Sequence, residues 1–401
     1  MLLKRTKPYL IILILIALAV NPAFATGEGN RNLILIGVMG LSPIIILSFP
    51  RFDRINPWLV AFMLSIIIIP LMNQPQSMRW STVLYSIMFC LTFIVYQELL
   101  HLSYFTPKRY LKVLKYLILA YFVVLVIQQL CVLTGLPVFN LSNYNPTEPW
   151  KLNSLAAEPS HSARIVGILM YCYITTKELV IRRKYNLKID INKDKWVWFA
   201  FIWTMVTMGS SLAFLFLTII LLKFIRFRNL FPIFVLVGFI FLLVNFFGIT
   251  AIDRTYQTAM ATLTLDTSFI IEADHSASIR IVPFIILAKM ASLNSWDGWF
   301  GHGVDYVSTF LSDVVPGVPE GFSGGGVLSI WIEYGFISFA LFVVFSLSNC
   351  YGKRNYLSII FWFLLVGLSS LNNSMMWLTL VLFLTKSFFE NKYNNIIVRN
   401  E

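Results

Sequence analysis

The sequence predicts an all-α bundle of membrane-spanning helices, and three observations predict it. Apolar runs of spanning length follow one another along most of the chain. Only 12% of the 401 residues are charged while 58% are hydrophobic, against about 25% charged in a soluble domain. The Lys and Arg residues fall into alternate loops between the runs. A soluble fold of this size has no place to hide so much apolar surface. The 16% aromatic content suits Trp and Tyr belts at a membrane interface.

Apolar runs lie near 10–25, 33–49, 57–72, 80–100, 116–136, 162–176, 196–209, 211–225, 230–250, 326–348, 357–370 and 374–388, giving about twelve spans by bilayer thickness. The runs on either side of Gly209 read as two helices joined by a tight turn at Gly209-Ser210-Ser211. With the N-terminus inside, the inside segments hold 24 of the 31 Lys and Arg residues. Each is basic: Lys4 to Lys7, Arg51 and Arg54, Lys108 to Lys115, Lys177 to Lys195, Lys223 to Arg228, Lys353 and Arg354, and Lys386 to Arg399. This asymmetry sets orientation, and it places both termini in the cytoplasm. It also accounts for the net charge of +12 without nucleic acid as a partner. The start, Lys4-Arg5-Thr6-Lys7 followed by an apolar stretch and Ala23-Phe24-Ala25, has the form of a signal peptide. An uncleaved first helix is preferred; cleavage would leave the N-terminus outside and the remaining topology unchanged. Residues 1–401 are expected to form a single integral membrane domain.

Two outside segments are long, 137–161 and 251–325, and loops of such length are commonly functional. Within the second, the stretch from Ile279 to Ala291, with Arg280 and Lys289, reads as an amphipathic helix at the interface. The inside loops are too small for a catalytic domain, and no phosphate-binding loop or dinucleotide fingerprint is present. Chemistry is therefore expected on or within the membrane, under the long outside segments. The cysteines Cys90, Cys131, Cys172 and Cys350 lack metal-ligand or redox spacing and read as small buried hydrophobes.

Four clusters carry candidate chemistry. Glu158, His161 and Arg164 recur at a spacing of three and can share one helix face. A capped helix start, with Pro159 in the first turn and Ser160 or Glu158 as cap, explains part of this pattern. It does not explain Arg164, one turn into an apolar run, where a charge is costly and usually functional. Ser278-Ile279-Arg280 opens the amphipathic stretch; Arg280 suits either lipid headgroups or a phosphate. Asp274 and His275, just upstream, lack the further ligands a metal site needs. Gly301-His302-Gly303, followed by Pro316 to Gly321 and Gly324 to Gly326, permits sharp turns and close approach to a ligand, or forms a connector; His302 is a reserve general base. Ser210, Ser211 and the stretch Ser369 to Ser374 are ordinary turn residues that would border an outer cavity.

At these positions the chain resembles the bacterial O-antigen polymerase and ligase superfamily, the Wzy-type polymerases and their ligase relatives. The matching features are, in order, Ala157-Glu158-Pro159-Ser160 entering a helix, Thr207-Met208-Gly209-Ser210-Ser211-Leu212-Ala213 at a helical hairpin, Ser278-Ile279-Arg280 leading to Gly301-His302-Gly303, and Gly326-Val327-Leu328-Ser329-Ile330-Trp331-Ile332-Glu333-Tyr334-Gly335 opening a span. The resemblance covers about 80 to 385. Members often carry an arginine in the hairpin motif, where this chain reads Ser210-Ser211-Leu212; the position of the ligase histidine, eleven residues before Gly335, is Gly324. That departure favours a polymerase over a ligase.

The resemblance implies a metal-independent, cofactor-free inverting glycosyltransferase in the bacterial inner membrane. It would join polyprenyl-diphosphate-linked oligosaccharides on the periplasmic face into O-antigen, capsule or exopolysaccharide, with the bilayer and a chain-length regulator as partners. Arg164 and Arg280 would bind the diphosphate, Glu158 or His161 would take the acceptor proton, and His302 would stand in reserve. Ser160, Ser210, Ser211, Ser278, Gly301 and Gly303 would line the substrate site. The alternatives are a glycan ligase and a non-enzymatic flippase or transporter, though no internal repeat of the kind transporters show is apparent.

Overall fold

A computed structural model of the chain describes residues 2–22, 32–48, 55–140, 148–224, 238, 260–261, 263–273, 275–315, 324–350 and 356–398, without the side chains of 2–6, 273, 275–280, 349 and 393–398. Among the described residues the structure is helical, with no strand. The helices are α1 (Leu2–Ala19), α2 (Leu33–Gly40), α3 (Ser42–Leu47), α4 (Pro57–Asn73), α5 (Trp80–Leu102), α6 (Pro107–Thr134), α7 (Pro159–Ile181), α8 (Leu187–Asp190), α9 (Lys195–Thr207), α10 (Ser211–Leu222), α11 (Thr267–Ala273), α12 (His275–Met290), α13 (Trp296–Phe300), α14 (Tyr306–Val314), α15 (Val327–Cys350), α16 (Tyr356–Trp362) and α17 (Ser374–Val398). A 3-10 turn occupies Pro75–Ser77, and a π-helical stretch, Phe363–Gly367, follows α16.

Among the described residues three helices are long and apolar enough to cross a membrane: α5, α6, and α15 over Val327–Ser348. Helix α7 has comparable length, but His161, Arg164 and several serines and threonines dilute its apolar character. The run expected at 230–250 lies outside the described residues apart from Gly238.

Several helix starts differ from those read in the sequence, for local reasons. Helix α6 begins at Pro107 rather than near 116, because the Thr106 side chain accepts from the Arg109 N–H and Pro107 fills the first turn. Lys108, Arg109, Lys112 and Lys115 thus lie on helix, where long basic side chains are good helix formers. Helix α12 starts at His275, four residues before the expected Ile279. Its Val282, Ile285 and Leu287 are buried in a cluster with Val307, Leu311, Leu328 and Ile332.

The chain divides into two compact units, each assembled from separated segments. Unit 1 comprises 1–14, 37–103 and 257–387; unit 2 comprises 15–36, 104–256 and 388–401. The division falls within α1, α2 and α17.

In unit 1, α15 packs along α4, with Phe62 and Phe342 at 5.1 Å between ring centroids. Trp377 of α17 is fully buried, stacks on Phe89 of α5 at 5.7 Å, and donates its indole N–H to the Leu371 carbonyl at 2.8 Å. Buried hydroxyls tie helix to helix, Ser42 to Thr92 at 3.0 Å and Tyr96 to Thr385 at 2.7 Å, and Ser86 of α5 donates to Asn372 in the turn before α17 at 2.6 Å. Lys386, at the inner end of the run expected over 374–388, is a buried residue of α17 whose ammonium donates to Ser358.

Helix α15 is broken at Gly335, whose φ of 82° and ψ of 166° interrupt the ladder. The carbonyls of Ile332 and Glu333 instead accept from the His302 and Gly303 N–H groups at 2.8 and 3.2 Å. The loop after α13 therefore supplies the donors that the helix loses at its break. A Cβ at Gly335 would overlap the Trp299 carbonyl, and one at Gly301 the Glu333 carbonyl.

Unit 2 is built on α6, α7, α9 and α10, with α7 packed against both α6 and α10. At Gly167 of α7 a Cβ would lie 3.0 Å from the Phe216 ring of α10, so glycine sets how closely these helices approach. The α9–α10 connection turns at Gly209, which has φ of 65°.

Gly335→Ala is expected to destabilise the protein by about 2 kcal/mol or more, read as a lower thermal midpoint in detergent. Gly40→Ala, with nothing within 4 Å of its Cβ, should leave the midpoint within the small change typical of an open surface site. Equal midpoints for the Gly335 variant and wild type would contradict the docked break.

Candidate functional site

The sequence-predicted residues fall into two groups. Glu158, Ser160, His161, Arg164, Ser210 and Ser211 belong to unit 2. Ser278, Arg280, Gly301, His302 and Gly303 belong to unit 1. Ser278 and Arg280 are on α12, and their side chains lie outside the described residues.

In unit 2 the approach to α7 is fixed by a buried amide knot. Gln128 of α6 donates to the Asn153 side-chain oxygen and to the Phe139 carbonyl, both at 3.0 Å, and its own oxygen accepts from the Ser154 N–H at 2.8 Å. Asn153 donates to the carbonyls of Asn140 at 2.7 Å and Ala157 at 3.1 Å. Asn140 donates back to the Ser154 carbonyl at 2.5 Å. The Ser154 hydroxyl reaches the Tyr121 carbonyl at 2.6 Å, and the Ser162 hydroxyl donates to the Asn153 carbonyl. Irregular backbone that would otherwise be orphaned in an apolar surrounding is thereby satisfied by side chains.

The knot delivers the chain to Glu158, the N-cap residue of α7 in extended conformation. Its carbonyl accepts from the N–H groups of His161 and Ser162 at 3.1 Å each. Its carboxylate accepts from the Ser160 hydroxyl at 3.2 Å and lies 4.0 Å from His161 Nε2. Ser160 is buried, while Glu158 and His161 keep 41% and 29% of their side chains exposed. One turn further in, Arg164 is 6% exposed. A carboxylate, a hydroxyl and an imidazole thus form one accessible cluster at the helix mouth, with a guanidinium buried below it on the same helix. The Gly209 turn packs on the backbone of Trp150 and Lys151, with an added Cβ 3.3 Å from both, so the hairpin and the segment leading to Glu158 are neighbours. Ser210 is buried and Ser211 half-buried.

In unit 1, Gly301 and Gly303 make their close approaches to protein: Gly301 to the Glu333 carbonyl, Gly303 to Ser77 and Gln74. The glycine density that suggested room for a ligand serves, at these two positions, to seat the loop on the broken helix at Gly301 and on the 3-10 turn at Gly303. Asn73 donates to the Gly301 carbonyl at 2.8 Å and accepts from the Trp296 indole at 2.9 Å. His302 is 31% exposed, stacks on Tyr306 at 4.6 Å, and has Nδ1 4.0 Å from Asp297. Asp305 accepts from the Thr82 hydroxyl at 2.8 Å and lies 3.6 Å from Arg79. Glu333, buried in α15, accepts from the Val307 N–H at 3.3 Å.

Sequence reasoning gave no role to Gln128, Asn140, Asn153, Asp305 or the Glu333 carboxylate. The available signals were amides within or beside an apolar run and a carboxylate within a span. The stretch Pro316 to Gly321 lies outside the described residues. Among the described residues no group of three or more His, Cys, Asp or Glu can hold a metal ion. The four cysteines are free thiols, three of them buried. No family model, curated protein or solved structure matches the chain.

Asn153→Ala removes the amide from several buried partners and is expected to cost about 2–3 kcal/mol, measured as a lower thermal midpoint. Asn153→Gln, which keeps the amide but displaces it, should fall between. A wild-type midpoint for Asn153→Ala would show that the knot contributes nothing.

Proposed function

We propose that the chain is a polysaccharide repeat-unit polymerase of the bacterial inner membrane, with about twelve spans, both termini inside, and its chemistry on the periplasmic face. The single observation carrying this reading is Arg164, buried one turn below the Glu158–Ser160–His161 cluster at the start of the apolar stretch Ile165–Ile174 of α7. An intramembrane charge is expensive and is retained where it serves a substrate or a pathway. A diphosphate on a lipid carrier is the anion that a guanidinium at that depth suits, because its planar donor fork matches phosphate oxygens. The order of motifs supports the same reading.

In this mechanism the acceptor sugar hydroxyl attacks the anomeric carbon of the donor glycan. The new C–O bond forms as the bond to the carrier diphosphate breaks, inverting the anomeric centre. Arg164 stabilises the negative charge that develops on the leaving diphosphate. Glu158 or His161 receives the hydroxyl proton; the exposure of both leaves room for an acceptor. Ser160, hydrogen-bonded to Glu158, positions that carboxylate.

The test is elongation of purified lipid-linked repeat units in detergent micelles, where no compartment boundary exists. Wild type is expected to yield a ladder of polymer. Arg164→Lys should slow it by about 100-fold or more, and Glu158→Gln should slow it with a changed pH profile. An unchanged rate for Arg164→Lys would overturn the assignment. Absence of polymer with translocation across vesicles would identify a transporter, and transfer onto a lipid core acceptor a ligase.

A further inference from the structure

The segment from Lys177 to Lys195, between α7 and α9, carries seven Lys and Arg residues against three acids, and unit 2 uses all three acids internally. Asp194 is buried and accepts from Tyr173 at 2.9 Å, Lys177 at 3.0 Å and Tyr185 at 3.1 Å. Burial pushes the Tyr185 phenol up, so it stays protonated as a donor; its oxygen in turn accepts from the Trp198 indole at 2.9 Å. Asp190 is buried and held by both terminal nitrogens of Arg183, at 2.7 and 2.6 Å, and by the Asn186 N–H at 2.8 Å. Glu178 takes the Tyr185 N–H at 3.0 Å and Lys223 at 2.9 Å.

What remains outward is one sign of charge. Arg182, Lys184, Lys188, Lys193 and Lys195 are all exposed, and among the described residues no ion pair engages them. Arg182 holds a left-handed conformation, φ 56°, at the C-cap of α7, a place where glycine is unstrained; the chain keeps a cation there instead. Large apolar side chains stand exposed among these cations: Ile189 at 55%, Trp196 at 64% and Phe199 at 47%. Lys195 lies 5.9 Å over the Trp196 ring. Cations interleaved with exposed indole and aliphatic groups fit the boundary between headgroups and acyl chains. A nucleic acid or acidic peptide would leave those apolar groups unmatched.

We propose that this folded loop is a binding surface for anionic phospholipid headgroups, with Arg182, Lys188, Lys193 and Lys195 contacting phosphates while Ile189 and Trp196 enter the acyl boundary. The internal ion pairs are the frame that aims the cations outward. The proposal rests on the membrane reading of α7 and α9, not on the enzyme assignment.

The test uses the purified full-length protein in neutral detergent, titrated with fluorescent phosphatidylglycerol or phosphatidylcholine. Phosphatidylglycerol is expected to bind at least about tenfold tighter, with the preference shrinking in about 0.5 M NaCl. Changing Arg182, Lys188, Lys193 and Lys195 together to Gln should abolish the preference. Keeping Arg182 and changing the three lysines to Arg should retain it, which controls for folding. Changing Lys108, Arg109, Lys112 and Lys115 to Gln should also retain it, which separates this surface from general positive charge. No preference in wild type, a preference that survives the first variant, or equal loss in the last would overturn the inference. A protein that remains soluble after detergent removal would instead overturn the membrane reading, and the surface with it.

The frame itself has a pH signature. The Arg183 hydrogen bonds hold the Asp190 carboxyl below its usual range. Its contribution to stability is therefore full above the unfolded carboxylate value, about 3.9, and is lost as pH falls through the lower folded value. Asp190→Asn should lower the thermal midpoint at neutral pH and flatten its fall in acid. A neutral-pH midpoint matching wild type would remove the pair from the frame.

Discussion

Irregular backbone buried among apolar side chains must find its hydrogen-bond partners within the protein. The amide of Asn153 meets that constraint where it matters most for the site. Between Gln128 on α6 and the first turns of α7 it satisfies carbonyls at 140 and 157 and, through its own backbone, the Ser162 hydroxyl. The segment before α7 has no helical ladder of its own. These side chains give it a single course, and that course sets where Glu158 caps the helix and where Arg164 lies beneath it.

The same constraint is met differently in unit 1. There the helix gives up its ladder at Gly335, and the Gly301-His302-Gly303 loop supplies the missing donors. Two motifs far apart in sequence are therefore one structural feature: the glycines permit backbone to meet backbone, and the loop closes the break. Asn73, Trp296 and Trp331 secure the same loop, the last by an indole N–H to the Gly298 carbonyl at 2.9 Å. His302 is held by this arrangement rather than free on a flexible connector.

Much of this was legible in the sequence. Apolar runs marked the helices, the Pro159 signal fixed the start of α7, and Gly209 marked the turn between α9 and α10. Of Glu158, His161 and Arg164, spaced by three, the last two lie on α7 and Glu158 is its N-cap. The rest was not legible, because it depends on tertiary partners. Nothing local indicates that Gln128 and Asn153 meet, that Gly301 docks on Glu333, or that the Lys386 ammonium is buried against Ser358. Helix α12 shows the same limit. Its pattern of charge and apolar residues is equally that of an interfacial helix and of one buried against α15, and only packing distinguishes them.

The central claim is that the mouth of α7 recognises a diphosphate on a lipid carrier. Placing a photoreactive amino acid at His161 and offering radiolabelled polyprenyl diphosphate tests it most directly. The account predicts cross-linking that excess unlabelled polyprenyl diphosphate displaces and polyprenyl alcohol does not. Equal displacement by the alcohol, or no cross-link at all, would contradict it.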